Sequence, residues 1–206
     1  RSCRSIQRGG KSLMSSFEAM FSTSPNIVMS TPGRVNLIGE HTDYNDGFVL
    51  PTVIPQATKI SLSARGGSRV RVASKNMPEF GIQNYMLGDE VRLNTWIDYI
   101  QGVTKILTSA GRRIAGFDLY IESTVPTGAG LSSSAALIVG LLKALRLAFQ
   151  IDLKDSAIAL LAQRVENEFV GAHVGIMDQM AVALASPGQA LFLDTRSLEY
   201  KLIALP

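Results

Sequence analysis

Residues 32–47 read Pro-Gly-Arg-Val-Asn-Leu-Ile-Gly-Glu-His-Thr-Asp-Tyr-Asn-Asp-Gly. This turn-rich stretch carries Arg34, Glu40, His41 and Asp43 between two apolar, β-forming pieces. Loops held between rigid elements often carry binding and catalytic groups. Two carboxylates and an imidazole close together suit a ligand with many hydroxyls, because each hydroxyl both donates and accepts. The alternative is a hairpin whose charged side chains are only solvated.

The composition indicates a globular chain with one large domain or two small ones. Hydrophobic residues make up 46% of the 206 residues and charged residues 18%, which supplies a core and argues against disorder. The net charge of +3 comes without a basic stripe interleaved with aromatic residues, so no nucleic-acid partner is expected. The one cysteine, Cys3, cannot form an internal disulfide, which is consistent with a reducing compartment.

The sequence contains no segment typical of membrane insertion or secretion. The longest apolar run, 135–142, ends at Lys143 and is too short to span a bilayer. The N-terminal segment is basic but lacks a continuous apolar stretch, so we expect a cytoplasmic protein without a membrane partner. Met14 is a candidate start site. Because the chain stops at Pro206 within a predicted sheet, we expect a fragment of a longer protein.

Strands come first along the chain and a helical block follows, which favours an α+β fold over a doubly wound parallel sheet. The predicted strands cover 58–64, 69–73, 117–122, 190–194 and 198–203. The predicted helices cover 17–21, 94–109, 132–149, 152–169 and 175–185. We expect Asn94 or Thr95 to cap the second helix and Asp152 or Asp155 to cap the fourth. The third helix is mostly apolar, which predicts burial on most sides.

A second segment predicts a phosphate site. Residues 126–136 read Pro-Thr-Gly-Ala-Gly-Leu-Ser-Ser-Ser-Ala-Ala and join a predicted strand to the helix that begins at Ser132. The glycines let the backbone approach a ligand, and a helix N-terminus offers free N–H groups to an anion. The serine hydroxyls can ligate Mg²⁺, although no lysine follows as it does in a Walker loop. The alternative is a glycine turn with a serine helix cap.

A third segment places acidic residues around a turn between two predicted helices. Asp178 is a candidate base or polarising group for a substrate hydroxyl. Glu166 is a candidate Mg²⁺ ligand, because Mg²⁺ prefers one or two carboxylates together with phosphate oxygens and water. For either acid the alternative is a helix cap or a partner of the helix dipole. Glu168 is the expected solvated neighbour, and a lone histidine such as His173 is more often packed or exposed than catalytic.

Together the three segments resemble the GHMP small-molecule kinase family and, within it, the galactokinases. Residues 32–47 are similar to the galactokinase signature, 126–136 to the family's ATP-binding motif, and 175–179 to the segment with the catalytic aspartate. The resemblance covers residues 24–206 and implies the N-terminal GHMP domain, like the second domain of ribosomal protein S5, with a mixed or antiparallel sheet and a helical layer. Residues 1–23 would form a partly flexible extension with a short helix, and the C-terminal family domain would be missing or only begun.

The resemblance also implies roles for individual residues. The implied catalytic residues are Asp178, facing the sugar C1 hydroxyl, and Arg34 beside it. The implied substrate-binding residues are Glu40, His41, Thr42, Asp43, Gly175 and Asp178. The implied ATP-binding residues are Gly128, Ala129, Gly130, Leu131, Ser132, Ser133 and Ser134. The implied Mg²⁺ ligands are Ser134 and Glu166.

The implied reaction is transfer of the ATP γ-phosphoryl group to the C1 hydroxyl of galactose, which gives α-D-galactose 1-phosphate and ADP in the Leloir pathway of galactose metabolism. Galactose and Mg-ATP would be the partners, and a monomer is expected. Three alternatives stay open. They are a related sugar kinase for an N-acetylated hexosamine such as N-acetylgalactosamine or for a heptose phosphate, a non-catalytic sugar sensor on the same fold, and an inactive truncated remnant.

Overall fold

The computed structural model describes residues 16–206 as a mixed sheet with helices packed against it. The helices are α1 (Ser16–Phe21), α2 (Asp98–Ser109), α3 (Ser133–Ala148), α4 (Asp155–Arg164) and α5 (Met177–Leu184). The strands are β1 (Ile27–Asn36), β2 (Phe48–Val49), β3 (Pro51–Ala64), β4 (Arg69–Ser74), β5 (Gln83–Met86), β6 (Phe117–Ser123), β7 (Gln189–Asp194) and β8 (Tyr200–Ala204). A 3₁₀ turn covers Pro78–Phe80, and a π-helical turn covers Val165–Val170. Cys3 and the candidate start Met14 lie outside the described residues.

The sheet has a strand order different from the order of the chain. It runs β2-β7-β3-β6-β4-β5, with β1 paired to β3 and β8 paired to β7. In the described part of the chain, every pair is antiparallel except β4 with β6. Parallel neighbours need a crossover connection, and the segment from β4 to β6 contains β5 and α2. The predicted α+β class with a mixed sheet and a helical layer is therefore confirmed.

The helix α3 lies at the centre of the main core. Leu141 and Leu145 have no exposed surface, and α3 contacts both β1 and β3. Gly140 permits this approach, because a Cβ there would lie 2.7 Å from Thr31 Oγ1 and 3.3 Å from an Ile60 side-chain carbon. Each fully buried leucine is worth roughly 1.5–3 kcal/mol relative to exposure. Although α3 is mostly apolar, no helix in the described part of the chain is long and apolar enough to cross a membrane.

The opposite face of the sheet is covered by α1. Leu119 of β6 belongs to the main core, whereas its neighbour Tyr120 packs with Phe17 and Phe21, because successive side chains of a strand point to opposite faces. The guanidinium carbon of Arg71 lies 5.2 Å from the centre of the Phe21 ring. The predicted short helix is therefore present, and it packs on the same sheet as the rest of the fold.

The predicted cap of α2 is wrong. The helix begins at Asp98, and neither Asn94 nor Thr95 caps it through its side chain. Instead, the Asp98 carboxylate accepts backbone N–H bonds from Leu93 at 2.9 Å and from Thr95 at 3.3 Å. An acid in the first turn therefore binds the preceding backbone, which propensity alone does not distinguish from a cap one turn earlier.

In place of the single helix expected over 152–169, the structure has an α-helix followed by a π-helical turn. α4 begins after Lys154 without a side-chain cap, so neither Asp152 nor Asp155 has the predicted role. The Asp155 carboxylate instead accepts a bond from Arg146 at 2.7 Å. After α4 the chain continues as the π-helical turn. Such turns are rare and occur frequently at functional sites.

The first motif is also more regular than expected. β1 continues to Asn36, so the beginning of the 32–47 stretch is strand and only the remainder is turn. Arg34 pairs with Val53 of β3, just after a register shift that follows Pro32. Arg34 is therefore held by a sheet and not by a loop. The structure also contains β5, which the sequence did not predict.

Candidate active site

An ion pair joins the first and third motifs. Arg34 lies in β1 and Asp178 in the first turn of α5. The Arg34 Nε and Nη2 atoms donate to Asp178 Oδ1 at 2.8 and 2.5 Å, and only 9% of Arg34 is exposed. Arg34 Nη1 donates to the Gly130 carbonyl at 2.5 Å. One guanidinium therefore ties three distant segments together through charge-assisted bonds, which are stronger than neutral ones.

Ser132 completes this contact. Its backbone is left-handed, with a φ of 58°, and its side chain does not cap α3. The hydroxyl instead donates to Asp178 Oδ2, the oxygen that Arg34 leaves free. Ser132 therefore stands at the N-cap position of α3 without the side-chain bond of a serine cap. We call Arg34, Ser132 and Asp178 the junction.

A cavity of about 620 Å³ opens at the junction, and we call it the acidic cavity. Three carboxylates line it, those of Glu40, Asp43 and Asp178, together with the Arg34 guanidinium. His41 also lines the wall. The structure therefore brings the charged residues of the first motif to Asp178, as the sequence predicted.

Asp43 lies in this wall directly against Gly175. A Cβ at Gly175 would lie 2.2 Å from Asp43 Oδ2 and 2.5 Å from Asp43 Cγ, so a larger residue would displace the carboxylate. Burial raises the pKa of Asp43 above its ordinary value, and the negative charge of Asp178 raises it further. Arg34 and two backbone hydrogen bonds act in the opposite direction.

The other residues of the turn lie in different places. Glu40 accepts a bond from Asn36 Nδ2 at 3.4 Å, and His41 Nδ1 lies 2.5 Å from the Tyr44 hydroxyl. Thr42 is not among the residues that line the acidic cavity. Its hydroxyl lies 2.8 Å from the carbonyl oxygens of Gly39 in the turn and Phe48 in β2, and it can donate its one hydrogen to either. The structure therefore places Thr42 in the support of the turn.

The glycines of the second motif lie between two cavities. Gly128 and Gly130 have φ values of 72° and 68°, and nothing lies within 4 Å of where a Cβ would stand, so the backbone is open to a ligand. Gly128, Ser133 and Ser134 line a second cavity of about 680 Å³, whereas Gly130 lines the acidic cavity. The loop therefore separates the two cavities, and we call the second one the loop cavity.

Ala129 and Leu131 line neither of these cavities. The Leu131 carbonyl accepts the backbone N–H of Arg34 at 3.2 Å, which anchors the end of the loop to β1. Before the loop, the Asn76 side chain donates to the Ser123 carbonyl at 2.9 Å and accepts the Ser123 N–H at 2.8 Å. The loop is therefore fixed at both ends.

Glu166 is a buried carboxylate beside the N-terminus of α3. It is 3% exposed, and it accepts hydrogen bonds from the Ser134 and Gln179 side chains. Burial raises the pKa of Glu166, with a further contribution from the Asp178 charge, while the two hydrogen bonds lower it. None of the ion pairs in the described part of the chain includes Glu166. A buried acid without a cationic partner fits a position next to a bound cation.

Among residues 16–206, no group of three or more His, Cys, Asp and Glu side chains could hold a metal ion. Glu166 and the Ser134 hydroxyl would therefore be joined by phosphate oxygens and water. That is the ligand set that Mg²⁺ usually takes beside a nucleotide. The residues present fit the ion that the sequence predicted.

Sequence reasoning missed four residues that line these cavities or contact a predicted site residue. Trp96 and Tyr99 line the loop cavity, and burial raises the pKa of Tyr99, followed by the effect of the Glu166 charge. Asn36 lines the acidic cavity, and its buried Oδ1 has no hydrogen-bond partner in the described part of the chain. Gln179 contacts Glu166. An aromatic residue at a helical spacing is normally a core residue, so no signal in the sequence marked Trp96.

The chain is similar to known protein families over most of its length. The profile of the GHMP kinases N terminal domain matches residues 98–186, and that of the galactokinase galactose-binding signature matches residues 15–64. The galactokinase of Chloroflexus aggregans is 44% identical over 197 residues, which cover 94% of this chain and 50% of that protein. This chain belongs to the GHMP kinase family. The resemblance stated from the sequence is confirmed.

Further GHMP kinases show the same relation. The galactokinase of Streptomyces coelicolor is 44% identical over 191 residues, 91% of this chain and 49% of that protein. The structure of Lactococcus lactis galactokinase complexed with galactose has a TM-score of 0.87 at 34% identity, and the match covers 92% of this chain and 50% of that one. Methanococcus jannaschii mevalonate kinase, at 21% identity and a TM-score of 0.72, shows the fold alone. The chain spans about half the length of the curated relatives it matches.

Proposed function

We propose that this GHMP kinase domain belongs to an enzyme that transfers the γ-phosphoryl group of ATP to the C1 hydroxyl of galactose, forming α-D-galactose 1-phosphate and ADP. The position of the junction carries this proposal, because Asp178 lies where the acidic cavity meets the phosphate loop. A sugar hydroxyl in the cavity and a phosphate on the loop would meet there. Galactose is the proposed sugar because the first motif matches the galactose-binding signature.

The acidic cavity would bind the sugar hydroxyls. Glu40 and Asp43 supply carboxylate acceptors, His41 supplies a ring nitrogen, and the backbone at Gly175 closes the wall. Asn36 offers a free amide oxygen to a hydroxyl donor. Thr42 would act indirectly, by supporting the turn that carries its neighbours.

The loop cavity would bind the nucleotide. The backbone from Gly128 to Ser134 would surround the phosphates, with the N–H groups at the start of α3 directed at them. Trp96 and Tyr99, which line the same cavity as Ser134, offer aromatic surface to the base. Ser134 and Glu166 would hold Mg²⁺, which when bound neutralises charge on the phosphate oxygens.

The residues of the junction would then perform the transfer. The bond from sugar O1 to the γ-phosphorus forms as the bond from that phosphorus to the departing ADP oxygen breaks, and the O1 proton passes to Asp178. We assign Oδ2 as its acceptor, because Arg34 holds Oδ1 through two nitrogens whereas the Ser132 hydroxyl can rotate away from Oδ2. Arg34 would stabilise charge on the transferring group, and the whole site would act mainly by positioning.

A sugar panel tests the proposal on the protein in the longest form that its gene encodes. ADP release is measured with galactose, N-acetylgalactosamine, a heptose phosphate and glucose. We expect the highest kcat/KM with galactose and formation of the α-1-phosphate. A higher kcat/KM with another sugar would overturn the galactose assignment. Tight galactose and ATP binding without any ADP would instead support the sensor.

A further inference from the structure

The side-chain amides of Asn167 and Gln163 form hydrogen bonds with the backbone of Val174, which lies in the segment that precedes α5. The Val174 N–H donates to Asn167 Oδ1 at 2.7 Å, and Asn167 Nδ2 donates to the Val174 carbonyl at 3.2 Å. Gln163 Nε2 donates to the same carbonyl, also at 3.2 Å. Asn167 therefore pairs with Val174 as a neighbouring strand would, with one donor and one acceptor. Asn167 lies in the π-helical turn, immediately after Glu166.

The segment that contains Val174, residues 171–175, has no regular secondary structure. It begins at Gly171, whose φ is 81°, and it includes His173, whose φ is 50°. A non-glycine residue in the left-handed region is strained and persists where its surroundings fix it. The N–H groups of Gly171 and Ala172 bond to the Glu166 carbonyl, and the N–H of Val174 bonds to the Asn167 side chain. Asn167 is thus the main polar anchor of this segment.

Gly175, the residue after Val174, lies directly against Asp43 in the wall of the acidic cavity. Gly175 leaves no room for a Cβ against the Asp43 carboxylate. A shift of the Gly175 backbone would therefore move Asp43 or open a gap behind it. Gly175, Val174 and Asp43 also border a smaller cavity of about 250 Å³ behind the wall, into which the segment has space to move.

We propose that Asn167 is a positioning residue for the sugar: by pairing with Val174 it holds Gly175 against Asp43, so that the Asp43 carboxylate faces the acidic cavity. Asn167 itself does not line that cavity. This role rests on the proposed function, since it requires a sugar that Asp43 binds. Loss of the Asn167 contact should weaken sugar binding and leave nucleotide binding unchanged. The reason is that the phosphate loop is anchored separately, through Asn76 and Arg34.

The test compares Asn167→Ala with the wild-type protein and with Ser63→Ala. Ser63→Ala removes a hydrogen bond to Asn26, and neither of these residues lines either cavity, so it controls for a general loss of stability. We expect Asn167→Ala to raise the KM for galactose about tenfold or more, as misplacement of a binding group does, with the KM for ATP unchanged. Asn167→Asp keeps the acceptor for the Val174 N–H and should recover part of the affinity.

Hydrogen exchange at the Val174 amide gives a second readout that needs no ligand. Exchange at this amide should be faster in Asn167→Ala and unchanged in Ser63→Ala. Equal galactose KM values in wild type and Asn167→Ala would overturn the role of Asn167 alone, as would an equal rise in the KM values for galactose and ATP. If the wild-type protein does not bind galactose, the proposed function fails and this role fails with it.

Discussion

The two cavities of this GHMP kinase domain are built in different ways. Beside the loop cavity, the proposed phosphate site is one continuous stretch of chain, a glycine loop that leads from β6 into α3 and presents open backbone. The acidic cavity is assembled from three stretches far apart in sequence, within residues 34–44, at Gly130 and within residues 173–178. Its wall includes a glycine, Gly175, that lies directly against a carboxylate, Asp43. Backbone groups tolerate changes of side chain, whereas an assembled wall does not. Single substitutions should therefore damage the sugar side more than the nucleotide side.

The junction belongs to both sides, so the largest effect is expected there. Asp178→Ala should lower kcat by about 10²- to 10⁴-fold, the usual contribution of a positioned proton acceptor. The protein should still fold, because 26% of the Asp178 side chain is exposed, and Arg34 lines the open acidic cavity and keeps its bond to the Gly130 carbonyl. Turnover and thermal melting are measured together, with Asp178→Asn as the variant that keeps the shape. Turnover close to wild type would remove Asp178 from the mechanism.

A methyl group at Gly175 tests the assembled wall. Gly175→Ala should raise the KM for galactose by about 100-fold, because the new Cβ would stand 2.2 Å from Asp43 Oδ2. Gly66→Ala is the matched control, since nothing lies within 4 Å of a Cβ at that position. An unchanged galactose KM in Gly175→Ala would show that the contact with Asp43 has no part in sugar binding.

The difference between the two sides also explains what the sequence could predict. The phosphate loop could be derived from residue types alone, because two glycines before a serine-rich helix start form one local pattern. The convergence of Asp43 with Gly175 could not, since no local pattern reports a contact between residues so far apart; the resemblance to known kinases supplied both residues. Trp96 and Gln179 were missed because the sequence does not distinguish a residue that belongs to a site from one that only packs in the core.

A substitution in the proposed nucleotide site should lower affinity less than Gly175→Ala lowers affinity for the sugar. Ser134→Ala should raise the Mg²⁺ concentration needed for half-maximal nucleotide binding by about tenfold, with galactose binding unchanged, because the change removes one oxygen near Glu166. The fluorescence of Trp96, the one tryptophan of the chain, would report nucleotide binding directly. Ser109→Ala, at the exposed end of α2, is the control. A normal Mg²⁺ response in Ser134→Ala would argue against this metal position.

The smallest predicted effect concerns stability without ligands. Burial raises the pKa of Glu166, so the folded state binds a proton that the unfolded state has lost between the ordinary value of 4.5 and the raised one. Stability should therefore fall as pH rises through that window and stay level above it. Glu166→Gln has no ionisable group at this position, so its stability should not fall in this way as pH rises. Gln179 can turn its unpartnered Oε1 toward the new amide. Melting of both proteins with a chelator should show an advantage for Glu166→Gln that grows from pH 4.5 upward. An advantage that is absent or independent of pH would contradict the cause given for the pKa shift.

The central claim is that a sugar hydroxyl and the terminal phosphate meet at Asp178. A crystal structure with galactose and a non-hydrolysable ATP analogue measures this directly. We predict sugar O1 within about 2.6–3.2 Å of an Asp178 carboxylate oxygen, with the phosphates on the backbone from Gly128 to Ser134. Galactose bound outside the acidic cavity, or phosphates held away from the loop, would contradict the account.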